Sequence, residues 1–168
     1  VALVRALWDF LEDERTWAIF ADLLKAADPS VLAIIARTPA DPLSPYAQGQ
    51  LIAILGRLLT HADPAVRLNV LRRFRDLPVT DPEGRLSESL FIAVQSDLPQ
   101  EVEAGSNAIF ATYASRQADV IREALILLLP ARRALLIFLN ALTAAVRARP
   151  LYLIETTLAA MEVLEGDP

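Results

Sequence analysis

The chain has no cysteine and only one histidine and one methionine in 168 residues. Without cysteine there are no disulfides or thiolate metal sites, and the composition fits a reducing, cytoplasmic compartment. With His61 alone, zinc or copper would have to be held by carboxylates, which those metals do not favour. Glycine is sparse, at five residues, and no phosphate-binding glycine loop, nucleophile elbow or dinucleotide fingerprint occurs. Also lacking is any uncharged apolar run near the roughly 20 residues of a membrane span. The longest candidate, Ala134 to Val146, is interrupted by Asn140 and Thr143. No basic segment with an apolar core and a small-residue cleavage site marks a signal peptide. Positive charge is in deficit too. The formal net charge of −5 argues against a nucleic-acid partner, whose binders carry a basic patch.

What the chain does have is apolar residues and proline. The hydrophobic share is 54%, above the usual range of about 45–50%, so most helices are expected to be covered on more than one side. Asp28-Pro29, Asp63-Pro64 and Asp167-Pro168 each follow an apolar helix end. They are spaced by 35 and 104 residues, the second interval close to three times the first. A period in this range marks a solenoid of helix pairs. The dipeptide has a mechanism. Aspartate caps the free N–H groups of the first turn, and proline occupies the first helical position, where its missing N–H costs nothing.

From Thr60 to Leu77 the pattern is clearest. Val66, Val70, Phe74 and Leu77 recur on one face at helical spacing, with Leu71 alongside, while Arg72 and Arg75 point the other way. Pro78 to Gly84 reads as a loop. The same plan predicts about five helix pairs: Val1 to Leu11 with Glu14 to Ala26; Ser30 to Arg37 with Tyr46 to Thr60, across a loop holding Pro39, Pro42 and Pro45; the Pro64 helix with Leu86 to Ser96; Gln100 to Ala114 with Ala118 to Leu129; and Ala131 to Ala148 with Leu151 to Leu164. The expected fold is an all-α solenoid occupying residues 1–168 as one domain. The helical pattern already under way at Val1, and the Asp167-Pro168 stop, read as a piece of a longer solenoid. Its apolar ends, Val1 to Val4 and Met161 to Leu164, are then expected to promote self-association, because solenoid ends need polar caps.

The segments ADPAVRLNVLRRF and SDLPQEVEAGSNAIF resemble HEAT repeats of the short bacterial type. In that family an Asp-Pro turn and a Val-Arg pair open the first helix of each repeat. Val66-Arg67 matches, Val102 is followed by Glu103, and Val31 by Leu32. Asp97 occupies the family's ladder-aspartate position, while His61 stands in the equivalent place before Arg67. The resemblance implies an armadillo-like, right-handed α-α superhelix, whose second helices line a concave face, and a ladder role for Arg67 toward the neighbouring repeat.

Several constellations have simple structural readings. His61 lacks nucleophile and acid partners at motif spacing and reads as a polar turn residue. Asp9, Glu12, Asp13 and Glu14 lack the alternating ligands and glycine of a calcium loop, and acidic residues at a helix start satisfy the helix dipole. Arg67, Arg72, Arg73 and Arg75 read mainly as a solvated helix face. Trp8, Phe10, Trp17 and Phe20 read as core aromatics that also cap the first pair. Gly49 and Gly56 are candidates for close approach of another helix.

Stacking by the period aligns Arg15, Asp22 and Lys25 with Gln50, Arg57 and Thr60, then with Arg85, Glu88 and Gln95, and Arg122 continues the row. Mixed polarity suits a protein partner better than a polyanion. The expected function is a non-enzymatic protein-interaction scaffold with no cofactor, using the concave face and the proline-rich loop edge. Two alternatives stand beside it. One is a HEAT-like nucleic-acid binder, as in the alkylpurine DNA glycosylases that resemble this fold. The other is an architectural spacer within a multidomain protein.

Overall fold

The computed structural model describes residues 2–26, 28–40, 43–76, 79, 81, 83–113, 125–130, 132–133, 135–140, 158, 161 and 165. Among these every regular element is helical and no strand occurs. The elements are α1 (Ala2–Ala6), a 3-10 turn (Leu7–Phe10), α2 (Glu14–Ala26), α3 (Pro29–Ala36), α4 (Pro45–Leu59), α5 (Pro64–Asp76), α6 (Ser87–Val94) and α7 (Pro99–Tyr113). Beyond α7, residues 125–128, 132–133 and 135–140 are helical. The helices expected over 118–129, 131–148 and 151–164 otherwise lie outside the described residues. No described helix is long and apolar enough to cross a membrane.

The capping argument holds at atomic level. The Asp28 carboxylate accepts the Ser30 N–H at 2.8 Å, and Asp63 accepts the Ala65 N–H at 2.8 Å. Ser44-Pro45 uses the same device with a hydroxyl, Ser44 Oγ accepting the Ala47 N–H at 3.2 Å. At α7 the expected Asp97 turn is built differently. Ser96 Oγ accepts the Leu98 N–H at 3.2 Å and donates to the Glu101 carboxylate at 2.7 Å. Asp81, itself buried, accepts the N–H groups of Arg85 at 3.1 Å and Leu86 at 2.9 Å, which ends the loop before α6. Gly84 turns that loop with φ 64°, a left-handed conformation that favours glycine.

The chain divides into two compact units, Val1–Leu86 and Ser87–Pro168. In the first, α1 packs on α3 and α3 on α5, while α2 packs on α4 and α4 on α5. Its core is mainly apolar: Leu32, Ile35, Leu51, Leu55, Leu58, Val66, Val70, Leu71 and Phe74 are each at most 1% exposed. Trp17 and Phe20 join it edge to face at 5.7 Å, and Trp17 Nε1 donates to the Leu11 carbonyl at 2.7 Å. In the second unit α6 and α7 form a close hairpin. A Cβ on Gly105 would come within 3.1 Å of Val94 Cγ1 and 3.2 Å of Ala93 Cβ, so glycine is what allows the approach. The sequence pattern had pointed instead to Gly49 and Gly56. There an added Cβ would meet its nearest neighbour at 3.8 Å, an ordinary contact, and neither glycine is required by space.

Two expectations about side-chain direction are corrected. Phe10 is 60% exposed rather than in the core. Phe10 follows the buried Val4 by six positions, about 120° away on the helical wheel, so helical spacing alone does not carry it into the core, and the 3-10 geometry from Leu7 does not bring it in. Arg73 is 1% exposed rather than solvated. It follows Val70 by three positions and Val66 by seven, which places it about 20° from Val66 on the helical wheel and inside the apolar stripe. Arg72 is exposed as expected.

Candidate interaction site

The predicted row of contact residues is partly assembled. In the first unit Arg15, Asp22 and Lys25 are exposed on α2, and Arg57 is exposed on the adjoining α4, with Gln50 half-buried. Arg85 lies over α4, one guanidinium nitrogen being 3.8 Å from the position a Gly49 Cβ would take. Glu88 and Gln95 are exposed but belong to the second unit. Arg122 lies outside the described residues.

Half of the described charge in this row is already matched. Lys25 donates to Asp22 at 2.9 Å across one helical turn, and this contact holds the Asp22 carboxyl below its ordinary range. Arg85 Nε donates to Glu83 at 2.6 Å and a second guanidinium nitrogen pairs with the same carboxylate. Thr60 turns back, its hydroxyl donating to the carbonyls of Gly56 at 3.3 Å and Arg57 at 3.2 Å. Arg15 and Arg57 make no ion pair among the described residues and are the cations of this row that a partner can use most directly.

The single histidine is committed to its turn. His61 Nδ1 accepts the Asp63 N–H at 3.0 Å, so the neutral tautomer carries its proton on Nε2. Arg67 donates to the carbonyls of His61 at 2.7 Å and Ala62 at 3.0 Å, reaching back to the turn that ends the preceding pair. These carbonyls follow the C-terminus of α4, where a cation is favourable.

The acidic run near the start of the chain does more than cap helices. Asp13 accepts the Arg15 N–H at 2.9 Å and opens α2. Glu12 instead reaches across 32 residues of sequence to Ser44, taking its backbone N–H at 2.9 Å and its hydroxyl at 2.5 Å. Together these contacts tie the turn before α2 to the start of α4. They lower the Glu12 carboxyl, the Ser44 hydroxyl first and its backbone second. A carboxyl lowered in the folded state stabilises fully above its ordinary value of 4.5 and loses that contribution as pH falls through the lowered one. Glu12→Gln is therefore expected to reduce the denaturation midpoint at pH 7 and to converge on wild type as the pH falls below the lowered value. A constant difference across that range would show that the ionised clasp contributes nothing.

Beside this clasp lies a groove of about 540 Å3, walled by Trp8, Phe10, Leu11, Pro39 and Leu43 and edged by Asp9, Glu12 and Asp13. That volume is within the range of about 300–1,000 Å3 typical of ligand pockets. The Trp8 Nε1–H is buried and has no acceptor among the described residues. A smaller hollow of about 320 Å3 in the second unit lies between the α6–α7 turn and Arg132 and Arg133. No cluster of three metal-ligating side chains occurs among the described residues.

Sequence reasoning missed the Glu12–Ser44 clasp and the exposed Phe10. Ser44-Pro45 carries the same cap-then-proline signal as Asp63-Pro64 and was readable as a cap. Its long-range acceptor had no local signal. Compared with protein-family models, curated proteins and solved structures, the chain matches none.

Proposed function

We propose that the chain is a non-enzymatic protein-interaction scaffold, built as a HEAT-like, right-handed superhelix of antiparallel helix pairs. The observation that carries this reading is the stacking in the first unit. First helices α1, α3 and α5 follow one another, and second helix α2 lies on α4, with Arg15, Arg57 and Arg85 exposed along the second-helix side. A repeated layer of this kind leaves an extended surface rather than a closed reaction site. Commitment of His61 Nδ1 to the turn before α5 also supports a structural use of the one side chain best suited to acid–base work near neutral pH. The function follows from the shape of this surface by analogy.

The test reverses charge where it is unmatched. Arg57→Glu is expected to remove a specific bound protein from affinity captures while leaving the circular dichroism unchanged. Arg85→Glu should have the smaller effect, because Glu83 already pairs with Arg85. A labelled DNA duplex should give no anisotropy change near about 150 mM salt, since few aligned cations are available to displace counterions. Micromolar DNA binding that falls steeply with salt and disappears in Arg57→Glu would replace this reading with the nucleic-acid one.

A further inference from the structure

We infer that the groove beside the 3-10 turn is a docking site for a partner segment that presents an arginine between apolar residues. This rests on the scaffold reading above and names a contact surface distinct from the α2–α4 row. Phe10 is the reason to look here. It is 60% exposed, a large aromatic side chain left in water at the lip of a formed groove. Isolated apolar residues on a surface need no explanation, but an aromatic lip continuous with Leu43, Pro39 and Trp8 makes an apolar floor of the kind that anchors interface side chains.

Charge selects the occupant. The groove carries the carboxylates of Asp9, Glu12 and Asp13 and no basic side chain. Two of the three are engaged, Glu12 with Ser44 and Asp13 with the Arg15 N–H. Asp9 is exposed on the same 3-10 turn as Phe10 and makes no hydrogen bond or ion pair among the described residues. An aromatic face beside a free carboxylate suits a planar guanidinium, which stacks on the ring while its edge pairs with the carboxylate. Flanking apolar residues of the partner would cover Leu43 and Pro39. An acidic or purely apolar segment is disfavoured, because it would either meet three carboxylates or leave Asp9 desolvated without a partner.

The site is held in shape by contacts that the ligand need not supply. The Glu12–Ser44 clasp fixes the acidic edge to the α4 start, and Trp17 Nε1 holds the Leu11 carbonyl at 2.7 Å from beneath. A preformed groove lowers the ordering cost of binding. The chain contains one tryptophan lining the groove and one in the core beneath it, so occupancy can be read directly.

The probe is a blocked peptide in which a central arginine is flanked by leucines. Its control replaces arginine with citrulline, which keeps the shape and removes the charge. Binding is followed on the 168-residue protein by the side-chain N–H resonances of Trp8 and Trp17. The expected result is a saturable shift of the Trp8 resonance with a dissociation constant near about 0.1–1 mM, weakened about fivefold or more by citrulline. Asp9→Asn and Phe10→Ala should each weaken it about threefold or more. Both positions are exposed, so the fold should tolerate these changes. Glu103→Gln, an exposed acid of α7 outside the groove, should leave the affinity unchanged. Equal binding of the citrulline peptide, or equal loss in Glu103→Gln, would overturn the site and reduce the effect to general attraction by an acidic protein. Concentration-dependent self-association relieved equally by Asp9→Asn and by Arg132→Glu with Arg133→Glu would overturn the choice of occupant in favour of a second copy. If Arg57→Glu abolishes partner capture while no peptide shift occurs, the scaffold reading stands and this groove is not its contact surface.

Discussion

Phe74→Ala is expected to lower the stability of the first unit by about 3–5 kcal/mol, the range for removing a buried aromatic side chain. Phe74 is 0% exposed on α5, beside Val70 and Leu71, which are also fully covered. Helix α5 packs against both α3 and α4, so the cavity would open between three helices and could not be filled by the movement of one. Arg72→Ala, two positions away and exposed, should change stability by no more than about 0.5 kcal/mol. Denaturation followed by intrinsic fluorescence isolates the relevant unit, because both tryptophans lie in Val1–Leu86. Similar midpoints for the two variants would mean that the buried face of α5 has been misplaced.

The helices were legible because their starts carry strong local chemistry. Asp28-Pro29 and Asp63-Pro64 begin α3 and α5 where the cap argument places them, and Glu14–Ala26 has the bounds its periodicity predicts. Local rules were weaker where two geometries compete over a few residues. The run Val1 to Leu11 has helical spacing throughout, yet the chain tightens to 3-10 form at Leu7. Phe10, about 120° round the wheel from the buried Val4, sits at the groove lip. Contacts between distant segments were not legible at all. Nothing near Glu12 announces Ser44, and nothing near Gly105 announces the surface of α6 against which it packs. The candidate site was therefore half readable. Its α2 and α4 residues follow from periodicity, while the groove depends on a long-range clasp.

Arg73 is misread as solvated on the strength of its charge, although its wheel position lies inside the apolar stripe. The structure resolves the conflict by giving the guanidinium a place at the end of α3. Its NH2 group donates to the Thr38 carbonyl at 2.7 Å, across an interval of 35 residues that equals the Asp-Pro spacing. Thr38 follows the last turn of α3, and its own hydroxyl donates to the Ile35 carbonyl at 2.7 Å. A helix C-terminus exposes unpaired carbonyls with partial negative charge, so it is one of the few buried places where a cation is welcome. Burial still weakens the charge, and the nearby Arg37 adds to this. Together they bring the Arg73 pKa down to about 10.

The opposed effects make the choice of replacement decisive. Arg73→Ala should destabilise by about 3–5 kcal/mol, combining a cavity with a less well satisfied carbonyl. Arg73→Met restores much of the volume and removes the buried charge, so its cost should fall within about 1 kcal/mol of wild type. A pH series separates the charge from the packing. Below about pH 10 the guanidinium is protonated in both folded and unfolded states, and the desolvation cost is constant. Between that value and the ordinary one, the folded state binds fewer protons than the unfolded state, so wild type should gain stability relative to Arg73→Met as pH rises. If Arg73→Met is as damaging as Arg73→Ala at pH 7, the hydrogen bonds of the guanidinium outweigh its desolvation. Arg73 would then be a specific tie between α5 and the end of α3, and not a tolerated charge in an apolar stripe.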